Sequence, residues 1–561
     1  MFTFIHTFTK EGWNGLNEKG LWRKGDGLKI MHKNYGKEHL KFHEIAKIGG
    51  PLEQILSELK CPFYIDRFQG GIGLPCLYHY NTNQLHHYRN MLGDNFWGWQ
   101  MHEWASNYQS DWLRIKDMYA EFGTSDPTAE ERQKIWAKVI SGEKNLFLEA
   151  LTPHEWNSHR DPQNRKMYID DIYWLYETRA LMTDHQLIPA DSYNMAPKIE
   201  IANGAKLLLP EVGWQIPDMR VQIAYYRGMA KAANIRWGVY YECWGYNNTV
   251  ENLTIPYSLA GHEDEWGEDQ LTTGIGAHLP LEMRERGGSS RNLQERVWHY
   301  AYFTGATVMG EEYGVCNTFR NYDDFDLSPY GQVKKNFLDF TERVPDVGTA
   351  FTPFAIVLPK ELPYIDLRFP DEYAGYSTED ASFVVSKKTS TMLRDGLRNI
   401  FGSESKGNAG HTVRNGGYPD VFDMVHEDTE NALDKYDYLI DLTGNESFAK
   451  EHPNTVKSED INGILDKILP LRIESPVHTA YNKTKDGWLV LAMNNDGIDC
   501  NNNFEGDKKL PDCDITAKIN YKNSGVSCKK LEGTGSLSKT ENGDFVELEA
   551  GKWIILAVTE N

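Results

Sequence analysis

Six short apolar runs in the chain end in a carboxylate or in a polar cluster that carries one: FYIDRF (63–68), FWGWQMHEW (96–104), LIPADSY (187–193), LLLPEVGW (207–214), WGVYYECWG (237–245) and ATVMGEEYG (306–314). Buried strands of a parallel barrel read as continuous apolar runs, and barrel enzymes carry their reactive groups where those strands finish. One face is therefore expected to gather Asp66, Glu103, Asp191, Glu211, Glu242, Glu311 and Glu312. Tryptophans interleave with them: Trp97, Trp99 and Trp104 beside Glu103, Trp214 after Glu211, Trp244 after Glu242. Acids among flat rings suit carbohydrate, because the C–H face of a sugar packs on a ring while its hydroxyls bind charged acceptors.

These acids need elements to hold them. Eight strands are predicted: 2–8, 28–33, 63–68, 96–103, 187–193, 206–214, 236–244 and 306–312. Helical patterns at 39–60, 219–233 and 291–304 fall between them, as βα units require. Long inserts at roughly 105–185 and 246–290 follow the fourth and seventh strands, where barrels tolerate loops that wall off a cleft. From about residue 350 the pattern changes to strand, helix, strand and strand (353–360, 385–401, 421–427, 435–444), a small α/β layer domain, with a connecting helix predicted over 457–475. The tail alternates residue by residue at 487–495, 515–521, 545–550 and 552–558, which reads as a β-sandwich. The expected fold is thus a (β/α)₈ TIM barrel over 1–350, an α/β layer domain over 351–475 and a C-terminal β-sandwich over 476–561.

A length of 561 residues exceeds what one core usually fills, in keeping with several domains. The formal charge of −22 repels phosphates and argues against a nucleic-acid partner. No apolar run is long enough to span a bilayer, so no membrane role is expected. The start, MFTFIHTFTKEGW, lacks the basic and long apolar regions of a signal peptide and reads as a first strand, which leaves localisation open. Seven cysteines without CxxC spacing indicate neither a disulfide framework nor a zinc site, and no metal or cofactor is expected.

A barrel followed by a small α/β domain and a terminal sandwich resembles the family 42 glycoside hydrolases and their relatives, including the family 164 β-mannosidases. In that clan the fourth strand ends in a glutamate acid/base and the seventh in a glutamate nucleophile. The matching positions here are Glu103 in MHEW and Glu242 in YYECWG. One position departs from the pattern: the clan usually has Asn before the acid/base, and this chain has His102. The resemblance implies a retaining, exo-acting hydrolase of β-linked neutral hexosides, a β-mannoside or β-galactoside, and a homo-oligomer, a trimer in family relatives. Arg and Tyr neighbours would hold Glu242 ionised, and the Trp walls would raise the pKa of Glu103 by desolvation. Candidate substrate contacts are Asp66, Arg67, Trp99, His102, Trp104, Asp191, Tyr193, Glu211, Trp214, Tyr241, Trp244 and Glu311. Of Glu311 and Glu312, adjacent on a strand, at most one can line the cleft, and the other is expected to pair behind the barrel.

Other chemistries fit less well. His102-Glu103 begins an HExxH pattern, but position 106 is Ser. Gly70-Gly71 and Gly287-Gly288 lack a phosphate-loop context and read as turns. The acidic stretch 498–514 does not have EF-hand spacing. The middle domain resembles a glutamine-amidotransferase-like layer, yet no Cys lies between Cys316 and Cys500 to act as nucleophile, which points to a structural role. A non-catalytic carbohydrate-binding protein on a glycosidase barrel is the alternative; opposed carboxylates at strands four and seven favour the enzyme.

Overall fold

The computed structural model of the chain describes residues 2–4, 10–23, 26–31, 48–70, 82–102, 176–177, 180, 183–190, 197–213, 219–242, 291–311, 318, 326–327, 329–360, 372–373, 376–377, 387–402, 413, 415–474, 476–499, 508–510 and 512–560. It divides into two compact units, one of residues 1–209 with 364–386, the other of residues 210–363 with 387–561.

In the first unit five parallel strands pair in chain order: β1 (Phe2–Phe4), β2 (Gly27–Met31), β3 (Phe63–Gly70), β4 (Phe96–His102) and β5 (Leu187–Ala190). Helices α1 (Lys10–Glu18), α2 (Pro51–Leu59) and α3 (Thr82–Leu92) connect the first four, so each crossover is a βαβ unit. Helix α2 starts at Pro51, where a missing amide hydrogen does no harm. The earlier part of the helical pattern predicted over 39–60 lies, up to residue 47, outside the described residues. Phe63, Phe96 and Tyr88 of α3 pack ring on ring at 5.8–6.3 Å and fix one face of the sheet against its helix.

The second unit opens with three more parallel strands, β6 (Glu211–Gly213), β7 (Arg236–Glu242) and β8 (Val308–Glu311), with β7 in the middle. Each of the eight predicted strand segments thus contains a strand among the described residues, and the ends of several lie outside them. The sixth is divided, because Pro210, which has no amide hydrogen to donate, separates Leu207–Leu208 from β6. Two helices match the predicted patterns, α4 (Met219–Ala233) and α5 (Arg291–Phe303), and a further one, α6 (Pro329–Arg343), was not predicted.

In the region expected as a layer domain, β9 (Phe354–Leu358), β10 (Phe422–His426) and β11 (Tyr438–Asp441) form a parallel sheet in the order β10-β9-β11, with α7 (Lys387–Phe401) between β9 and β10. The predicted connecting helix is shorter than expected: α8 (Ile461–Ile468) stops before Pro470, and β12 (Leu471–Ile473) already belongs to the sandwich. Seven strands form, with β12, the two larger sheets that follow: β13 (His478–Thr484), β14 (Gly487–Met493), β15 (Ile515–Tyr521), β16 (Val526–Gly533), β17 (Ser536–Thr540), β18 (Gly543–Leu548) and β19 (Trp553–Glu560). One antiparallel sheet runs β13-β14-β19-β16 with the short Thr349–Ala350 strand at its edge, the other β12-β15-β18-β17.

Helix α4 is buried at every position from Met219 to Ala230, as a helix between two layers must be. It contacts β7 on one side and β10 on the other. Two arginines on it are buried, and each finds an aspartate of the layer domain. Arg220 Nε and Nη2 donate to Asp420 Oδ1 at 3.0 and 2.9 Å, while Nη1 and Nη2 also reach the carbonyls of Phe401, Gly416 and Tyr418. Arg227 Nε donates to Asp423 Oδ1 at 2.6 Å, and Thr352 and Tyr436 donate to Asp423 Oδ2. Asp420 also accepts from Nε2 of His478 at 2.5 Å, at the start of β13. Burial alone would raise the Asp420 carboxyl, but Arg220 and His478 outweigh it and hold it well below the usual carboxylate range.

Two outcomes follow from these groups. Asp420→Ala leaves the Arg220 guanidinium buried without its counter-charge, and a loss of about 3–5 kcal/mol in urea unfolding is expected. His299 of α5, against the rings of Phe340 and Trp553 with Nδ1 donating to the Glu295 carbonyl, is pushed down to about 4 from its ordinary 6.5, chiefly by burial. The unfolded chain then binds this proton near pH 6.5 while the fold resists it down to about pH 4, so stability falls with pH across that window, by on the order of 3 kcal/mol at its lower end. Unfolding midpoints measured from pH 7 to 4 should drop less steeply in His299→Phe than in the native protein.

Candidate active site

The strand ends of the second unit carry its carboxylates. Val212 of β6, Tyr241 of β7 and Glu311 of β8 stand side by side in register, and Gly213 is paired with Glu242, the last residue of β7. Neighbours in register on parallel strands share a face, and successive residues alternate. Val212, Tyr241 and Glu311 therefore face one way, Glu211 and Tyr240 the other.

The face of Tyr241 and Glu311 is covered by α5 and α6. Tyr241 meets the indole of Trp298 edge-on, ring centroids 6.4 Å apart. Glu311 accepts from Lys334 Nζ and from Thr318 Oγ1 (3.1 Å) at one oxygen, and Gln294 Nε2 lies 3.4 Å from the other. Lys334 Nζ also reaches Thr318 Oγ1 at 2.8 Å and sits 5.9 Å from the Trp298 ring. Helix α6 comes this close because Gly331 has no side chain: a Cβ there would lie 2.0 Å from the Thr318 carbonyl oxygen. Both residues of the pair are about 1% exposed. Glu311 and Tyr241, expected as substrate contacts, stand on the side of the sheet that carries Lys334 and Trp298. Glu311 is the acid that pairs behind the sheet. Glu211, on the opposite face, is fully buried at the start of β6.

In the first unit β4 runs to His102, immediately before Glu103. Trp99, expected to stack on a sugar, is fully buried and packs edge-on against Phe96 at 5.8 Å, within the aromatic layer that faces α3. Its place follows from Gly98, whose φ of +133° and contact with the Gln186 carbonyl, 2.0 Å from where a Cβ would stand, admit no side chain. Asp66 and Arg67 lie on β3, and Asp66 pairs with Met31 of β2. Glu103, Trp104, Asp191, Tyr193, Trp214, Trp244 and Glu312 lie outside the described residues, as do nearly all of the inserts at 105–185 and 246–290. Among the described residues no cluster of three or more His, Cys, Asp or Glu has the arrangement of a metal site, and no helix is long and apolar enough to cross a membrane.

One polar residue was missed by sequence reasoning. Gln100, in the middle of the apolar run of β4, is fully buried, and neither its amide oxygen nor its nitrogen has a hydrogen-bond partner among the described residues. The signal was available as a lone amide within FWGWQMHEW.

No protein-family model matches the chain, and no curated protein matches it significantly. Among solved structures it is similar to α-L-fucosidase isoenzyme 2 from Paenibacillus thiaminolyticus (TM-score 0.47, 9% identity, covering 100% of this chain and 99% of that one). It is also similar to a polyextremophilic β-galactosidase from the Antarctic haloarchaeon Halorubrum lacusprofundi (TM-score 0.42, 9% identity, 100% and 98% covered). A third is a GH42 β-galactosidase from G. stearothermophilus (TM-score 0.40, 8% identity, 97% and 95% covered). All three of these neighbours are glycoside hydrolases. At identities of 8–9%, roles for individual residues come from this chain's own geometry.

The Glu311 pair can be tested directly. Lys334→Met strands a buried carboxylate and should destabilise by about 3–5 kcal/mol, whereas the double replacement Glu311→Leu/Lys334→Met should recover most of that loss in urea unfolding. A Glu311→Gln variant that keeps full stability and shows only a raised KM would return Glu311 to the substrate.

Proposed function

We propose that the chain is a retaining, exo-acting glycoside hydrolase of neutral β-hexosides, a β-mannoside or β-galactoside, with β1 to β8 as the strands of a (β/α)₈ barrel. The observation that carries this reading is where two strands stop: β7 at Glu242, and β4 at His102, directly before Glu103. Carboxylates at the carboxyl ends of strands four and seven flank a bond placed across a barrel mouth.

In the proposed reaction Glu242 attacks the anomeric carbon while Glu103 gives its proton to the departing glycosidic oxygen, leaving a glycosyl ester on Glu242. Glu103, now a carboxylate, takes a proton from water, whose oxygen attacks the same carbon and frees Glu242. A separation of roughly 5–5.5 Å between the two carboxyl groups belongs to this route. Asp66, Arg67, His102, Trp104, Asp191, Tyr193, Glu211, Trp214 and Trp244 are the proposed sugar contacts. The inserts after strands four and seven would close the cleft into a pocket for one terminal sugar. The family resemblance adds a homo-oligomer, which light scattering in solution would reveal.

Two substitutions have different signatures. Glu242→Gln should lower turnover of every glycoside by on the order of 10⁴-fold or more, since an amide cannot form the ester. Glu103→Ala should fail with poor leaving groups yet still release nitrophenolate from aryl glycosides, and azide should then give a glycosyl azide that keeps the substrate's anomeric configuration. Substantial activity in Glu242→Gln, or a dead Glu211→Gln in its place, would transfer the nucleophile to Glu211. A 2-fluoro-glycoside that leaves no covalent adduct on the native protein would favour a carbohydrate-binding protein without turnover.

A further inference from the structure

A buried amide with no partner destabilises a fold, because its lost hydration is not replaced. Gln100 is in that position, at 0% exposure in the centre of β4. A second feature lies opposite it. The pairing of β3 with β4 goes from Ile65↔Trp99 directly to Gln69↔Met101, so Asp66, Arg67 and Phe68 on β3 face the single residue Gln100 on β4. β3 is bulged at this point only on its β4 side, since Asp66 keeps its pairing with Met31 of β2. On the other side of β4, Gln100 is in regular register with Ile188 of β5. Bulges interrupt a ladder and re-aim side chains, and they are frequent next to active sites. The strand irregularity and the uncompensated amide fall at the same place, two positions before the end of β4.

We infer that Gln100, with the β3 bulge opposite it, forms a polar subsite that reads one hydroxyl of the sugar bound at this end of the sheet. The ligand class rests on the hydrolase reading above and on the amide itself, which is neutral and offers both a donor and an acceptor. A hydroxyl matches that pair, whereas a carboxylate or an ammonium uses only half of it. Gln100 is a specificity-determining residue in this account, with no part in bond cleavage.

Gln100→Met keeps the length and removes the polar atoms. The full-length variant and the native protein would be compared by thermal melting, by calorimetric titration with methyl β-D-galactopyranoside and methyl β-D-mannopyranoside, and by hydrolysis of the corresponding aryl glycosides. The variant should melt higher than the native protein, since a buried polar group without a partner is gone, and should bind its preferred glycoside roughly 10–100-fold more weakly. Among monodeoxy versions of that glycoside, one should bind native and variant proteins alike. A lower melting temperature, meaning that the amide holds the fold together, overturns the inference, as does unchanged sugar affinity or a native protein that binds neither glycoside. Deoxygenation that weakens binding by the same factor in both proteins at every position also overturns it. Native protein that binds sugar but hydrolyses none removes the hydrolase reading and leaves the subsite. Hydrolysis equal in native and variant proteins removes the subsite and leaves the hydrolase.

Discussion

The buried carboxylate of Asp420 holds the second unit together. It joins α4, whose Arg220 brings all five guanidinium hydrogens to acceptors, to β13 of the sandwich through His478, and its backbone amide bonds the Thr479 carbonyl at 2.7 Å. Burial, followed by Arg220, lowers the pKa of His478; Nε2 gives its hydrogen to Asp420 and Nδ1 accepts from Asn495 at 3.0 Å. From Asn495 the chain of bonds continues to Arg296 of α5. The helices that back β6 to β8 are thus anchored in the layer domain and the sandwich. Such a network stabilises only when every member is satisfied, so removing one residue disturbs contacts in three parts of the unit.

This anchoring bears on the chemistry through β7. Tyr241 is pinned between the sheet and Trp298, and its neighbour in register, Glu311, is tied to Lys334, so the strand is fixed from behind one residue before Glu242. On the helix side the strand is held by packing and ion pairing, and such buried aromatic and ionic contacts fix a backbone closely.

The strands were legible in the sequence because fully buried parallel strands leave an uninterrupted apolar run, and each of the eight runs became a strand or part of one. The layer domain was legible for the same reason, with β9, β10 and β11 inside the predicted segments. Less legible were β16 and β17, whose exposed faces carry lysines and serines and leave a weak alternation. Which acids share a face could not be read from spacing alone. An acid at the end of an apolar run looks the same whether it faces a cleft or a lysine further along the chain, and Glu311 and Lys334 are 23 positions apart. Trp99 went the same way: a tryptophan beside a candidate acid reads as a sugar platform until the Gly98 distortion places it in the core.

The acids that are engaged also narrow the field for catalysis. A general acid must hold a proton near neutral pH, and a nucleophile must be free to form and release an ester. Asp420, held well below the usual range by Arg220 and His478, cannot serve as the acid, and four hydrogen-bonding groups close around Asp423. Glu311 is enclosed in its lysine pair. The abundant carboxylates behind a net charge of −22 are therefore not interchangeable candidates. In the second unit, the buried acids bonded to arginine or lysine serve the fold. In the proposed reading the nucleophile is Glu242, the last residue of β7, and its rival is Glu211, buried at the start of the neighbouring β6, which is why a comparison of these two glutamates is the decisive one.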